Sequence, residues 1–70
     1  MMPLCLAKHG QPLVIKKIGG SPDVKQHLET LGFNVGTAVE IVSSLGGNLI
    51  VKVKESRVAV SEELARRIMI

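Results

Sequence analysis

Apolar and polar positions along this chain change period several times, and each change marks an element. Pro3–Ala7 is a short apolar segment ended by the polar turn Lys8-His9-Gly10-Gln11-Pro12. Leu13–Ile18, rich in β-branched residues and closed by Gly19-Gly20, reads as a strand. The period then becomes helical: Val24, Leu28 and Leu31 fall at i, i+4 and i+7 and form one apolar stripe. Ser21 is placed to accept an amide hydrogen bond from the first turn, and Pro22 stands where a missing N–H costs nothing. Asp23 puts a carboxylate at the positive end of the helix dipole. Gly32 is the expected left-handed stop, with Phe33 folding back onto Leu28. A helix over Pro22–Leu31 follows.

Gly36 turns the chain into an alternating run, Ala38–Ser44, with Val39 and Ile41 on one face and Glu40 opposite. Leu45-Gly46-Gly47-Asn48 is a hairpin signal. Leu49, Val51 and Val53 then point one way, and Ile50, Lys52 and Lys54 the other. Glu55-Ser56 reads as a second tight turn into Arg57–Val60. Ser61-Glu62-Glu63 opens one helical turn, and Arg66–Ile70 closes the chain as a last strand with Met69 outward. These elements predict an α+β domain: a small closed or half-closed β-barrel of about five short strands, crossed by one helix. A helical turn before the last strand is typical of SH3-like barrels.

At 70 residues the chain supports a single domain, residues 1–70. A hydrophobic fraction of 46% argues against disorder. Phe33 is the one aromatic residue, which argues against proline-rich-peptide grooves and base-stacking platforms. A net charge of +3 falls short of the basic stripe of a nucleic-acid binder. With Cys5 alone there is no internal disulfide, and no apolar run has the length of a spanning helix. A cytoplasmic, non-inserting protein is expected.

The arrangement Leu4, Gly10…Ile15…Ile18-Gly19-Gly20, Leu28-x-x-Leu31-Gly32-Phe33-x-x-Gly36-x-x-Val39-x-Ile41, with alternation after Gly47 and Val58–Val60, Ala65, Ile68 and Ile70 at the end, resembles the FeoA family over the whole chain. Its most specific part is Leu31-Gly32-Phe33-x-x-Gly36. The resemblance implies a small cytosolic SH3-like protein associated with FeoB-type ferrous-iron permeases, recruited to the inner membrane by that partner. Similar domains end iron-dependent repressors; a chain of this length lacks room for their DNA-binding helices, so the free-standing accessory is expected.

Candidate chemistry is sparse. Gly32 and Gly36 are read as backbone devices rather than as a binding surface. Asp23 and His27, at i and i+4, are the nearest approach to a metal pair, with Cys5 and His9 as further donors. Glu29 projects nearly opposite His27, and no CxxC, HxxxH or HExxH spacing occurs. No resident cofactor is therefore expected, with Fe²⁺ association the exception to test. No serine sits in an activating motif and no phosphate-binding loop is present, so enzymatic activity is not expected. Ile50 ringed by Lys52, Lys54 and Arg57 suits contact with an acidic partner surface, although a solvated edge-protecting face explains the same cations. The expectation is a non-catalytic protein that binds and regulates a FeoB-type permease through its cytosolic region. A metal sensor or metallochaperone using His27, Asp23 and Cys5 or His9 is one alternative, and an SH3-like RNA-binding module is another. Free sheet edges leave a homo-oligomer open.

Overall fold

The computed structural model describes all residues, Met1–Ile70. Its elements run as a 3-10 turn (Leu4–Leu6), β1 (Leu13–Val14), β2 (Lys17–Ile18), α1 (Pro22–Thr30), β3 (Ala38–Leu45), β4 (Asn48–Val53), β5 (Ser56–Ser61), α2 (Glu62–Ala65) and β6 (Ile68–Met69). One antiparallel sheet has the order β1-β3-β4-β5, and β2 pairs with β6 in a second. The fold is the half-closed alternative: two sheets enclose one core, and no continuous ladder closes a barrel.

The expected strand Leu13–Ile18 is two strands. Val14 pairs with Ala38 in the large sheet, whereas Lys17 pairs with Met69 in the small one. The switch falls at Ile15–Lys16. Ile15 donates its N–H to Thr37 at 3.0 Å and accepts from Gly36 at 2.8 Å, while Lys16 donates to Met69 at 2.8 Å. Six apolar-rich residues carry no mark of such a corner, because both halves remain extended. Only the partners change. Ile15 itself turns inward and is buried.

Helix α1 is built as its sequence demands. Ser21 Oγ accepts from the Val24 N–H at 3.3 Å, and Pro22 occupies the first helical position. The helix stops at Thr30, with Leu31 as its C-cap and Gly32 at φ +103°. Gly32 N–H donates to Glu29 and Phe33 N–H to Leu28, both at 2.9 Å, the paired bonds of a Schellman stop. Phe33 and Leu28 are both fully buried. Val24 and Leu31 lie at the margin of the same core, half-buried. The 3-10 turn contributes Leu4, also fully buried, while Leu6 faces solvent.

The β3–β4 hairpin turns at Gly46-Gly47, closing on the pair Leu45·Asn48. A bulge between Ile41 and Ser43 interrupts the register and leaves Val42 37% exposed. The second hairpin turns one residue earlier than expected. Val53 pairs with Ser56, so Lys54 and Glu55 form the turn, and Lys54 adopts φ +58°. At the C-terminal end, Arg66 caps α2 rather than opening the last strand, which shrinks to Ile68–Met69. Met69 is half-buried, and Ile68 beside it fully buried. No helix is long and apolar enough to cross a membrane.

Candidate docking surface

The inward face of β4 carries Leu49, Val51 and Val53, all buried, which commits Ile50 and Lys52 to the outer face. Cross-strand pairing assembles two rows there. Glu40, Lys52 and Arg57 stand in register across β3, β4 and β5, and Ser43, Ile50 and Ala59 form the neighbouring row. Lys52, Arg57 and Ala59 are exposed, and Ile50 and Glu40 are half-buried. Lys54 joins this patch from the turn rather than from the strand, and it reaches the same shallow depression as Lys52, Glu40 and Pro12.

Cations outnumber the one carboxylate of these rows, Glu40, and none of them forms an ion pair. Arg66 and Glu62, at 3.4 Å, form the only ion pair in the chain. Glu40 is opposite Lys52 in register but makes no ion pair with it. Lys54 adopts φ +58° as the first residue of a two-residue hairpin turn, a position that requires positive φ and costs a side chain about 1–2 kcal/mol.

The remaining candidates separate. Asp23 and His27 both lie on α1 and are exposed to solvent. Cys5 and His9 are remote from them in the chain and line a cleft with Glu62 and the Gly46-Gly47 hairpin tip. No three His, Cys, Asp or Glu residues are placed together to hold a metal ion. A feature the sequence did not betray is an open, largely apolar groove of about 620 Å³, lined by Met1, Met2, Pro12, Leu13, Val14 and Ile70 with Lys16 at its side. It exists because Met2 and Ile70 exchange backbone hydrogen bonds of 3.0 and 2.9 Å, bringing both ends of the chain beside β1. The one available signal was the apolar character of both ends.

Comparison with known proteins places this geometry in a family. The family model described as the FeoA domain matches residues 2–70. Over 70 residues the chain is 33% identical to the "Putative Fe(2+) transport protein A" of Methanocaldococcus jannaschii, covering 100% of this chain and 85% of that protein. A crystal structure of the iron uptake regulatory protein FeoA superposes with a TM-score of 0.87 at 27% identity, over 96% of this chain and 89% of the other. The Stenotrophomonas maltophilia FeoA, solved with zinc and described as a procaryotic SH3 domain protein, gives a TM-score of 0.84 at 24% identity, over 99% and 88% of the two chains. That last likeness speaks for the SH3-like fold alone. The match along nearly the whole chain, together with the fold it implies, makes this protein a member of the FeoA family of ferrous-iron transport accessory proteins.

Proposed function

We propose that this protein acts without catalysis, by binding the cytosolic region of a FeoB-type ferrous-iron permease and biasing its nucleotide-dependent cycle. The observation that carries the docking site is the outer face of β3–β5, where Ile50 lies among Lys52, Lys54 and Arg57 and none of the three cations has an ion-pair partner. A central apolar residue rimmed by unpaired charge suits a protein contact that is steered by an acidic partner. Regulation requires differential affinity: the accessory shifts the permease only if it binds one nucleotide state more tightly than another. In this reading the protein works in the cytoplasm and handles no metal itself.

Calorimetric titration against the isolated nucleotide-binding domain of the permease, with GDP and with a non-hydrolysable GTP analogue, tests the reading. The titration should give different affinities for the two states. The folded double variant Lys52→Glu/Lys54→Glu should bind roughly ten- to a hundredfold more weakly. Unchanged binding by that variant, with loss in Val14→Asp instead, would move the site to the apolar groove. Stoichiometric Fe²⁺ uptake by the protein alone, with no binding to the permease domain, would overturn the proposal.

A further inference from the structure

The two-residue turn Lys54–Glu55 closes on the pair Val53·Ser56, which is therefore a hydrogen-bonded pair of the antiparallel ladder. Bonded and non-bonded pairs alternate from there, so Val51·Val58 and Leu49·Val60 are bonded, and Lys52·Arg57 and Ile50·Ala59 are not. The phase is fixed independently at the far end, where Glu62 N–H donates to Gly47 at 3.0 Å. The N–H and C=O groups of Arg57 and Ala59 consequently point away from β4. Strand β5 is the edge of its sheet, and neither residue enters any backbone hydrogen bond outside the helices and strands. Both residues are exposed. This edge carries no proline and no bulge, two of the devices that blunt a free edge.

We infer that the β5 edge accepts an extended, acidic segment of a protein partner as an added strand, paired through Arg57 and Ala59. The backbone supplies the affinity, and the side chains on either face select the occupant. On the outer face, an added strand places one residue beside Arg57, next to Lys52, where a carboxylate meets unpaired cations. Its neighbour two positions on lies beside Ala59 and Ile50, where a small or apolar residue fits. On the inner face, the intervening side chain lies beside Val58, which is half-buried and packs against the core. A second copy of this chain is a poor occupant. Self-pairing would gather Arg57 and Lys52 from two copies onto one sheet face, each chain carrying a net charge of +3. The inference rests on the docking face proposed above and specifies how that face is engaged.

Amide hydrogen exchange read by NMR on the full chain tests it. In the free protein Val58 and Val60 should be protected and Arg57 and Ala59 should exchange fast. The first probe is a synthetic heptapeptide, Thr-Val-Ala-Val-Glu-Val-Thr, with a counterpart bearing lysine in place of glutamate. At saturation the acidic peptide should slow exchange at Arg57 and Ala59 roughly tenfold or more, and the lysine peptide should not. Ala59→Pro removes an outward N–H while sparing the β4 ladder and should abolish binding, whereas Ala59→Ser should retain it. If the proline variant fails to fold, Arg57→Glu replaces it and should invert the preference between the two peptides. Failure of the acidic peptide to protect Arg57 and Ala59 overturns the inference. The second probe, the nucleotide-binding domain of the permease, separates this failure from that of the functional proposal. Binding with Arg57 and Ala59 protected supports both. Binding with those amides still exchanging fast keeps the permease contact and overturns strand addition as its mode. Absence of binding overturns the permease reading and leaves the peptide result to decide the edge.

Discussion

Replacing Gly32 and Gly36 by alanine, one at a time, separates two costs that a positive-φ glycine usually confounds. Both residues hold positive φ, +103° and +90°. A Cβ at Gly36 would meet nothing within 4 Å, whereas one at Gly32 would stand 3.2 Å from Val53 Cγ1. The backbone conformation costs each alanine about 1–2 kcal/mol. Restricting the unfolded chain returns about 0.4–1 kcal/mol, so Gly36→Ala should lose close to 1 kcal/mol net. Gly32→Ala carries the same term plus a crowded contact against a side chain that is 2% exposed and fixed within the sheet. The low end of overpacking costs, about 1 kcal/mol, applies to a single methyl, giving a total of about 2 kcal/mol. A domain of this size has only about 4–10 kcal/mol to lose, so both variants still fold. The assay is urea denaturation followed by far-UV circular dichroism, with thermal melts alongside. Melting temperature should drop by about 4–8 °C for Gly36→Ala and twice that for Gly32→Ala. A Val53→Ala background should remove the excess, since the contacting methyl is gone. Equal losses for the two glycine variants would refute the packing term, and no loss in either would refute the backbone term.

Lys54→Gly should stabilise the protein by roughly 0.5–1 kcal/mol by relieving its left-handed backbone, while weakening permease binding. A melt and a titration on the same sample test whether the two properties trade against each other. Ser21→Ala removes the acceptor for the Val24 N–H and should cost about 1 kcal/mol by denaturant titration, with the loss confined to α1. Ile68→Ala empties a fully buried position in β6 and should cost about 2–5 kcal/mol. In that variant the amides of Lys16 and Gly19, which donate to Met69 and Arg67, should exchange faster than those of β4.

What was legible in the sequence was local. Ser21, Pro22, Gly32 and Phe33 specify the ends of α1 through interactions within a few residues, and their hydrogen bonds form as the residue types demand. The alternation of β4 likewise declares its buried face. What was hidden depends on partners far along the chain. The corner at Ile15–Lys16 arises because Thr37 and Met69 claim successive residues of one extended segment. The Ile41/Ser43 bulge and the early turn at Lys54 are matters of register between strands, and no single strand's pattern contains them. The alternation of β4 was enough to put Ile50 and Lys52 on one outer face near Lys54 and Arg57, but which groups of β5 point off the sheet edge needed the ladder phase. The groove beside β1 needed both ends of the chain in one place.

The exchange of hydrogen bonds between Met2 and Ile70 has a consequence for assembly of the fold. Those two residues, with Lys17 and Met69 behind them, lie far apart in sequence, so their pairing closes the longest loop among the pairings of this fold. By the chain-entropy relation for cross-links, a closure of nearly seventy residues costs the unfolded chain about 4 kcal/mol. During synthesis the small sheet cannot form until the final strand has left the ribosome, and the four-stranded sheet must wait with one flank of its core uncovered. Peptide ligation of the two ends through a short flexible linker would remove that wait. The cyclised protein should refold faster and resist denaturant better, with every side-chain contact unchanged.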